Sequence, residues 1–225
     1  MRPFTGARHM APIAAVTVRP VTEEDVDGLA NLCTDALYFE ADLKSDGLVV
    51  CLQRQMILQQ QRRNLARRIK FEGASECRFF VAEDSGRICG CLDMAVHLFD
   101  NNASQFELTA SAMPEGGDQL YRWCPYVASL AVSRVDRRSG IGRRLIQNAE
   151  RWAWRSGYRE VMLEVAQTND GALSFYKQKG YTVLSTFDSG EAGGGAIDLR
   201  RAAWWWDIRD VGKFVMRKKL SGLRL

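Results

Sequence analysis

The chain has 225 residues, of which 46% are hydrophobic, and a formal net charge of +4. That length suffices for one domain with a sizeable core and insertions, and the charge alone is too small to indicate nucleic acid. No run of about eighteen apolar residues occurs, so no membrane-spanning helix is expected.

The six cysteines, Cys33, Cys51, Cys77, Cys89, Cys91 and Cys124, are scattered. Cys89-x-Cys91 lacks the partner pair and the histidines of a zinc site, so no metal is expected. The cysteines read as small apolar fillers in a reducing, intracellular compartment.

In chain order, residues 1–15 carry Arg2, Arg8 and His9 and no acid. They read as a disordered lead-in or the remnant of an organelle transit peptide. Val16–Pro20 predicts a short strand, and Thr22 followed by Glu23-Glu24-Asp25 predicts a helix start, with acids where the dipole favours them. Residues 54–70 contain Arg54, Arg62, Arg63, Arg67, Arg68 and Lys70 and no acid. Leu48, Leu52, Met56, Leu65 and Ile69 make this segment an amphipathic helix with a solvated basic face. An acidic partner or nucleic acid is the competing reading, but no aromatic residues interleave the run, which leaves single-strand stacking unsupported.

Cys77–Glu83 and Ile88–Phe99 read as a hairpin joined around Asp84-Ser85-Gly86-Arg87, and the polar residues 100–119 read as a loop insertion. Next comes the apolar strand ending at Val132, and then Arg137-Arg138-Ser139-Gly140-Ile141-Gly142-Arg143-Arg144 before a helix marked by Leu145, Ile146, Ala149 and Trp152. Gly140 and Gly142 let the backbone turn and approach a ligand, and the first helical amides are unsatisfied donors. The helix dipole and the arginine forks add to an anion site suited to a diphosphate. The spacing matches neither GxxxxGK nor GxGxxG. Val161–Val165 is a strand, Asn169–Tyr181 holds a further helix, and Lys213–Arg217 is the final strand.

Arg137-x-x-Gly140-x-Gly142 and the segment Asn169-Asp170-Gly171-Ala172-Leu173-Ser174-Phe175-Tyr176-Lys177-Gln178-Lys179-Gly180-Tyr181, with a strand between them, resemble the GCN5-related N-acetyltransferase (GNAT) family over about residues 122–187. The resemblance implies an α/β single-domain fold over 16–220, with insertions at 100–119 and 188–210, in the order β-α-α-β-β-β-α-β-α-β-β. It implies a mixed central sheet of about seven strands and about four helices, with the strands at Val132 and Val161–Val165 splayed at the cofactor site. Acetyl-CoA is the implied cosubstrate. Its pantetheine arm would pair with the backbone of Leu130, Ala131 and Val132, and Arg137, Arg138, Ser139, Gly140, Ile141, Gly142 and Arg143 would hold its diphosphate. Asn169 would cap its helix and reach the cofactor arm, and Gly180 would end that helix.

Tyr176 would lie against the cofactor and donate a proton to the leaving thiolate, a phenol of pKa roughly 10 meeting a thiol of roughly 8.5. Glu164 precedes Tyr176 at the spacing found in some bacterial ribosomal-type N-terminal acetyltransferases, and is the first candidate for general base. Asp93 is the second, and Tyr121 or Tyr126 could relay a proton through water.

Deprotonating an α-amine at pH 7 costs about 1 kcal/mol and a lysine about 4.6, which favours an N-terminal acceptor modestly. The function implied is direct acetyl transfer to a protein or peptide amine, N-terminal or lysine, in a ternary complex. A small-molecule amine acceptor and a non-catalytic CoA-binding module are the alternatives. Trp204-Trp205-Trp206 packs the second insertion or lines the acceptor groove. A similar insertion in plastid-type members of the family, with the acid-free N-terminus, tilts the location to a plastid, with cytoplasm the alternative. The oligomeric state stays open.

Overall fold

A computed structural model describes residues 16–38, 48–71, 77–101, 105–106, 121–187 and 212–221. The lead-in 1–15, most of the insertion 100–119 and the segment 188–210 with its three tryptophans lie outside the described residues. The elements are β1 (Thr17–Pro20), α1 (Val26–Cys33), α2 (Leu48–Phe71), β2 (Cys77–Asp84), β3 (Arg87–Asp100), β4 (Gln105–Phe106), β5 (Tyr121–Val132), α3 (Ile141–Arg155), β6 (Glu160–Ala166), α4 (Asp170–Gln178), β7 (Thr182–Phe187) and β8 (Lys213–Lys219).

The sheet runs β1-β2-β3-β5-β6-β8-β7, with β4 on β3, so the insertion after β3 is not wholly a loop as its polarity suggests. Every pairing is antiparallel except β5 with β6.

Side chains alternate between two covered faces. On one, Leu145, Ile146, Ala149 and Ala153 of α3 and Tyr176 of α4 pack against Leu92, Met94, Val127, Leu163 and Met216. On the other, Leu29 and Ala30 of α1 and Leu58 and Leu65 of α2 pack against Phe79, Val81, Cys91 and Ala131. Leu145 and Ile146 are fully enclosed, each contributing about 2 kcal/mol of apolar burial. Cys33, Cys89, Cys91 and Cys124 are buried thiols, whereas Cys51 is exposed.

The helix α2 inverts part of its expected apolar stripe. Leu58, Gln61 and Leu65 face the sheet, at spacings of one turn, while Leu52 and Met56 are 55% and 73% exposed. Its basic face is partly paired rather than simply solvated: Arg54 bonds Asp35, Arg62 bonds Asp27, and Arg68 reaches into the core to Asp93.

Candidate active site

The strands β5 and β6 pair only at Tyr126↔Met162 and Val127↔Leu163. One residue later Ala128 is an extra residue on β5, because Asp93 opposes Ser129 while Met94 opposes Val127. Such a bulge bends its strand and raises the local twist. It also resets the alternation, so Val127 and Leu130, three residues apart, face the same α3–α4 side. From Ala128 to Val132 the β5 edge facing β6 has no strand partner among the described residues, while its other edge stays paired to β3 as far as Val132↔Gly90. The predicted splay is thus present, with Leu130, Ala131 and Val132 on the open edge.

The turn after β5 follows from short-range bonds. The Asp136 N–H donates to the Ser133 carbonyl at 2.9 Å, the Ser139 hydroxyl donates to the Asp136 carbonyl, and Arg137 Nε donates to the Val132 carbonyl at 3.2 Å. Arg87, from the β2–β3 hairpin, clamps the Asp136 carboxylate at 2.7 Å and holds its pKa below the usual carboxylate value. Arg138 and Gly140 both take left-handed backbone, φ 66° and 87°, and Gly140 is the N-cap of α3. The first intrahelical bond is Arg144 N–H to Gly140 carbonyl at 3.1 Å, so the amides of Ile141, Gly142 and Arg143 precede the ladder. Gly90 lets α3 sit this close to the sheet: a Cβ there would stand 2.9 Å from Ile141 Cγ2. The predicted anion-binding residues are therefore gathered at one turn.

The neighbouring α4 begins as predicted, with Asn169 Oδ1 accepting from the Ala172 N–H at 3.0 Å, and ends at Gly180 in left-handed backbone, φ 87°. Tyr176 is 7% exposed and lies edge-on to Phe175 and Tyr181, at 5.2 and 5.6 Å between centroids. Burial raises its phenol well above the usual value, so it keeps its proton at neutral pH.

Leu163 and Val165 face α3 and α4, so Glu164 points through the opposite face of the sheet. It is partly buried and 3.4 Å from Lys213 Nζ. Tyr126, level with Met162, shares that face, and His97 packs edge-on against it at 5.3 Å. Asp93 is on this face too, but it is 1% exposed and ion-paired to Arg68. Burial pushes its carboxyl up and Arg68 opposes that. It is enclosed as a structural group, not presented to an acceptor. Tyr121 begins β5 opposite Asp100, about 20 Å along the strand from Val127, and is not brought to the opening. Sequence reasoning missed the Ala128 bulge, whose signal is the three-residue spacing of Val127 and Leu130. It also missed Lys213 and His97, which carry no local signal.

Residues 47–181 match the sequence profile of the acetyltransferase (GNAT) family. The chain belongs to the GNAT acetyltransferase family. As a GNAT acetyltransferase it is an acetyl-CoA-dependent enzyme.

Solved structures show the same fold at low identity. The paia N-acetyltransferase of Thermoplasma acidophilum, in complex with coenzyme A, is 16% identical with a TM-score of 0.57, covering 91% of this chain and 98% of that one. The acetyltransferase yncA of Salmonella typhimurium, with acetyl-CoA, is 15% identical with a TM-score of 0.58, over 92% and 95%. Chaetomium thermophilum Naa20, in complex with a bisubstrate analogue, is 23% identical with a TM-score of 0.54, over 91% and 86%. Among the described residues of this GNAT protein, no group of three or more His, Cys, Asp or Glu is placed to hold a metal ion, and no helix is long and apolar enough to cross a membrane.

Proposed function

We propose that this GNAT enzyme acetylates a protein or peptide amine, an N-terminal α-amine ahead of a lysine, by direct attack within a ternary complex. The observation that carries the reading is the division of labour across the β5–β6 opening. Tyr176 lies on the α3–α4 side, and Glu164 and Tyr126 lie on the other. Proton donation and proton acceptance are thereby kept apart.

The residues present fit acetyl-CoA. The amides of Ile141, Gly142 and Arg143, with Arg137, Arg138, Arg143 and Ser139 around them, would hold the diphosphate. A Cβ on Gly142 would make only ordinary contacts, 3.5 Å from Phe175 Cζ and 3.8 Å from Val132 Cγ2, so the fold does not need glycine there, and its bare backbone is what a closely approaching ligand would use. The open β5 edge at Leu130–Val132 offers backbone groups to an extended amide chain, as in strand addition. Asn169 caps the start of α4, from which its side chain would reach the cofactor arm. When bound, acetyl-CoA supplies a thioester carbonyl and a thiolate leaving group.

The chain's own residues handle the protons. The buried phenol of Tyr176 gives one up at the leaving sulfur, and Glu164, with Tyr126 beside it, takes the one from the amine, directly or through water. Glu164, 3.4 Å from Lys213 Nζ, would take the proton more readily from an α-amine, which costs about 1 kcal/mol to deprotonate, than from a lysine, which costs about 4.6. A plastid or cytosolic location goes with this reading, resting on residues 1–15 and 188–210 alone.

The deciding experiment incubates the protein with acetyl-CoA and a mixed peptide pool and scores α-amine against lysine products by mass spectrometry. Tyr176→Phe should lower turnover by roughly two orders of magnitude with little change in CoA affinity. Glu164→Gln should lower it most at low pH, and a pH–rate profile indifferent to that change removes Glu164. Release of CoA stimulated by small amines and not by peptides moves the enzyme to a small-molecule acceptor. Binding of acetyl-CoA with no stimulated release by either leaves a CoA-binding module.

A further inference from the structure

Glu150, at the middle of α3, is 2% exposed and sits among Ile146, Ala149 and Ala153 in the larger core. A carboxylate taken out of water is costly unless charge and hydrogen bonds compensate it. The compensation comes from β8, where Lys218 Nζ donates to Glu150 Oε2 at 2.7 Å. The same ammonium stands 5.7 Å from the centroid of the Tyr181 ring.

Glu150 Oε1 and the Tyr181 hydroxyl are both buried and meet no partner at hydrogen-bond geometry. They nonetheless sense each other: burial first, and then the Glu150 charge, push the Tyr181 phenol up. Tyr181 in turn grips Tyr176 twice. Its N–H donates to the Tyr176 carbonyl at 3.1 Å, and its ring meets the Tyr176 ring at 67° with centroids 5.6 Å apart. Apolar residues would serve packing alone at least as well. What the polar trio adds is a fixed geometry directly behind the phenol assigned to the transfer.

We propose that Tyr181, Glu150 and Lys218 are positioning residues that aim the Tyr176 phenol. The proposal rests on Tyr176 acting as the proton donor. Tyr181, after α4, is the member of the trio that touches Tyr176; Lys218 from β8 stands over the Tyr181 ring and pairs with Glu150 from α3, while β6 contributes the apolar Val161, Leu163 and Val165 to the cluster around Tyr176. On its own helix, Asp170 and Lys177 are exposed. The expected effects on Tyr181 have opposite signs. Neutralising Glu150 leaves the Lys218 ammonium alone beside the Tyr181 phenol and favours its phenolate, whereas removing Lys218 leaves no cation to do so.

The test compares wild type, Glu150→Gln, Lys218→Met, Tyr181→Phe, Tyr176→Phe and the double variant Glu150→Met/Lys218→Met. Three things are measured: kcat against pH, CoA affinity by calorimetry, and tyrosinate absorbance against pH. Replacing a buried ion pair by apolar residues of similar length is commonly neutral for stability, so the double variant separates folding from positioning. It should keep wild-type Tm and CoA affinity yet lose about tenfold in kcat, the scale of a misplaced catalytic group. Glu150→Gln should move the onset of tyrosinate absorbance to lower pH, and Lys218→Met should not.

A double variant with undiminished kcat, or single variants whose tyrosinate onsets stay put or move together, overturns the proposal. If Glu150→Gln does not fold, the double variant and Tyr181→Phe decide, the latter expected to lower kcat without altering CoA affinity. A Tyr176→Phe enzyme with full kcat removes Tyr176 as donor and the positioning role with it. A slow Tyr176→Phe enzyme beside unaffected trio variants removes only the positioning role.

Discussion

Gly140 and Gly142 are two residues apart and do different work. Gly140 is at φ 87°, where a side chain costs about 1–2 kcal/mol, although a Cβ there would meet nothing within 4 Å. Gly140→Val should therefore lower Tm in the absence of ligand, through backbone strain and not through a clash. Gly142 is inside α3, where a Cβ would make ordinary contacts with Phe175 and Val132, and alanine is the better helix former by about 1 kcal/mol. Gly142→Ala should thus hold or raise the ligand-free Tm while weakening CoA binding, and thermal unfolding beside calorimetry reads both signs. A Gly142→Ala protein with undiminished CoA affinity would place the diphosphate elsewhere. These glycines were legible in the sequence because few other residues satisfy such a turn. The surroundings of Tyr176 were not, since Glu150 and Lys218 lie on elements remote in the chain.

Among the elements, α2 shows how far periodicity carries. A helix was legible from the acid-free run 54–70, but not its inward face, because Leu52 and Met56 mimic a stripe that Leu58 and Leu65 actually supply. Nor was it legible that Arg68 leaves the basic face to meet Asp93 on β3. Arg68→Met would leave a carboxylate enclosed without its cation, at a cost of about 3–5 kcal/mol near neutral pH. The pH dependence follows from the raised pKa of Asp93. Its contribution to stability is fully present below the ordinary value of 3.8 and is lost as pH rises through the folded value. Arg68 restrains that rise, so the destabilisation of Arg68→Met should shrink as pH falls toward about 4, as read by denaturant midpoints across pH. A penalty independent of pH would mean that the pair matters only for packing. The Ala128 bulge marks the opposite limit: one extra residue at full hydrophobicity leaves no compositional trace, and only the three-residue gap between Val127 and Leu130 betrays it.

For the molecule as a whole, the order of strands and helices and the family were readable because two local motifs flank a strand. The insertion of β8 between β6 and β7 was not, since either sheet edge would accept the last strand. Among the described residues, only two backbone ladder pairs of β5 and β6 join β1-β2-β3-β5 to β6-β8-β7, beside the side-chain bonds of Arg122 and Cys124 to Glu160, and the helices α3 and α4 cover the seam. A ligand that binds only the folded chain stabilises it, by about 2.7 kcal/mol at a hundred times its Kd. Along an open seam that gain should be local first. Amide exchange of residues 128–132 should slow with CoA far more than that of β2, and uniform slowing would argue against strand addition. With the pantetheine arm proposed as the missing member of the sheet, every turnover would remove and replace a strut, so cellular supply of the cosubstrate would govern how long the protein survives as well as how fast it works.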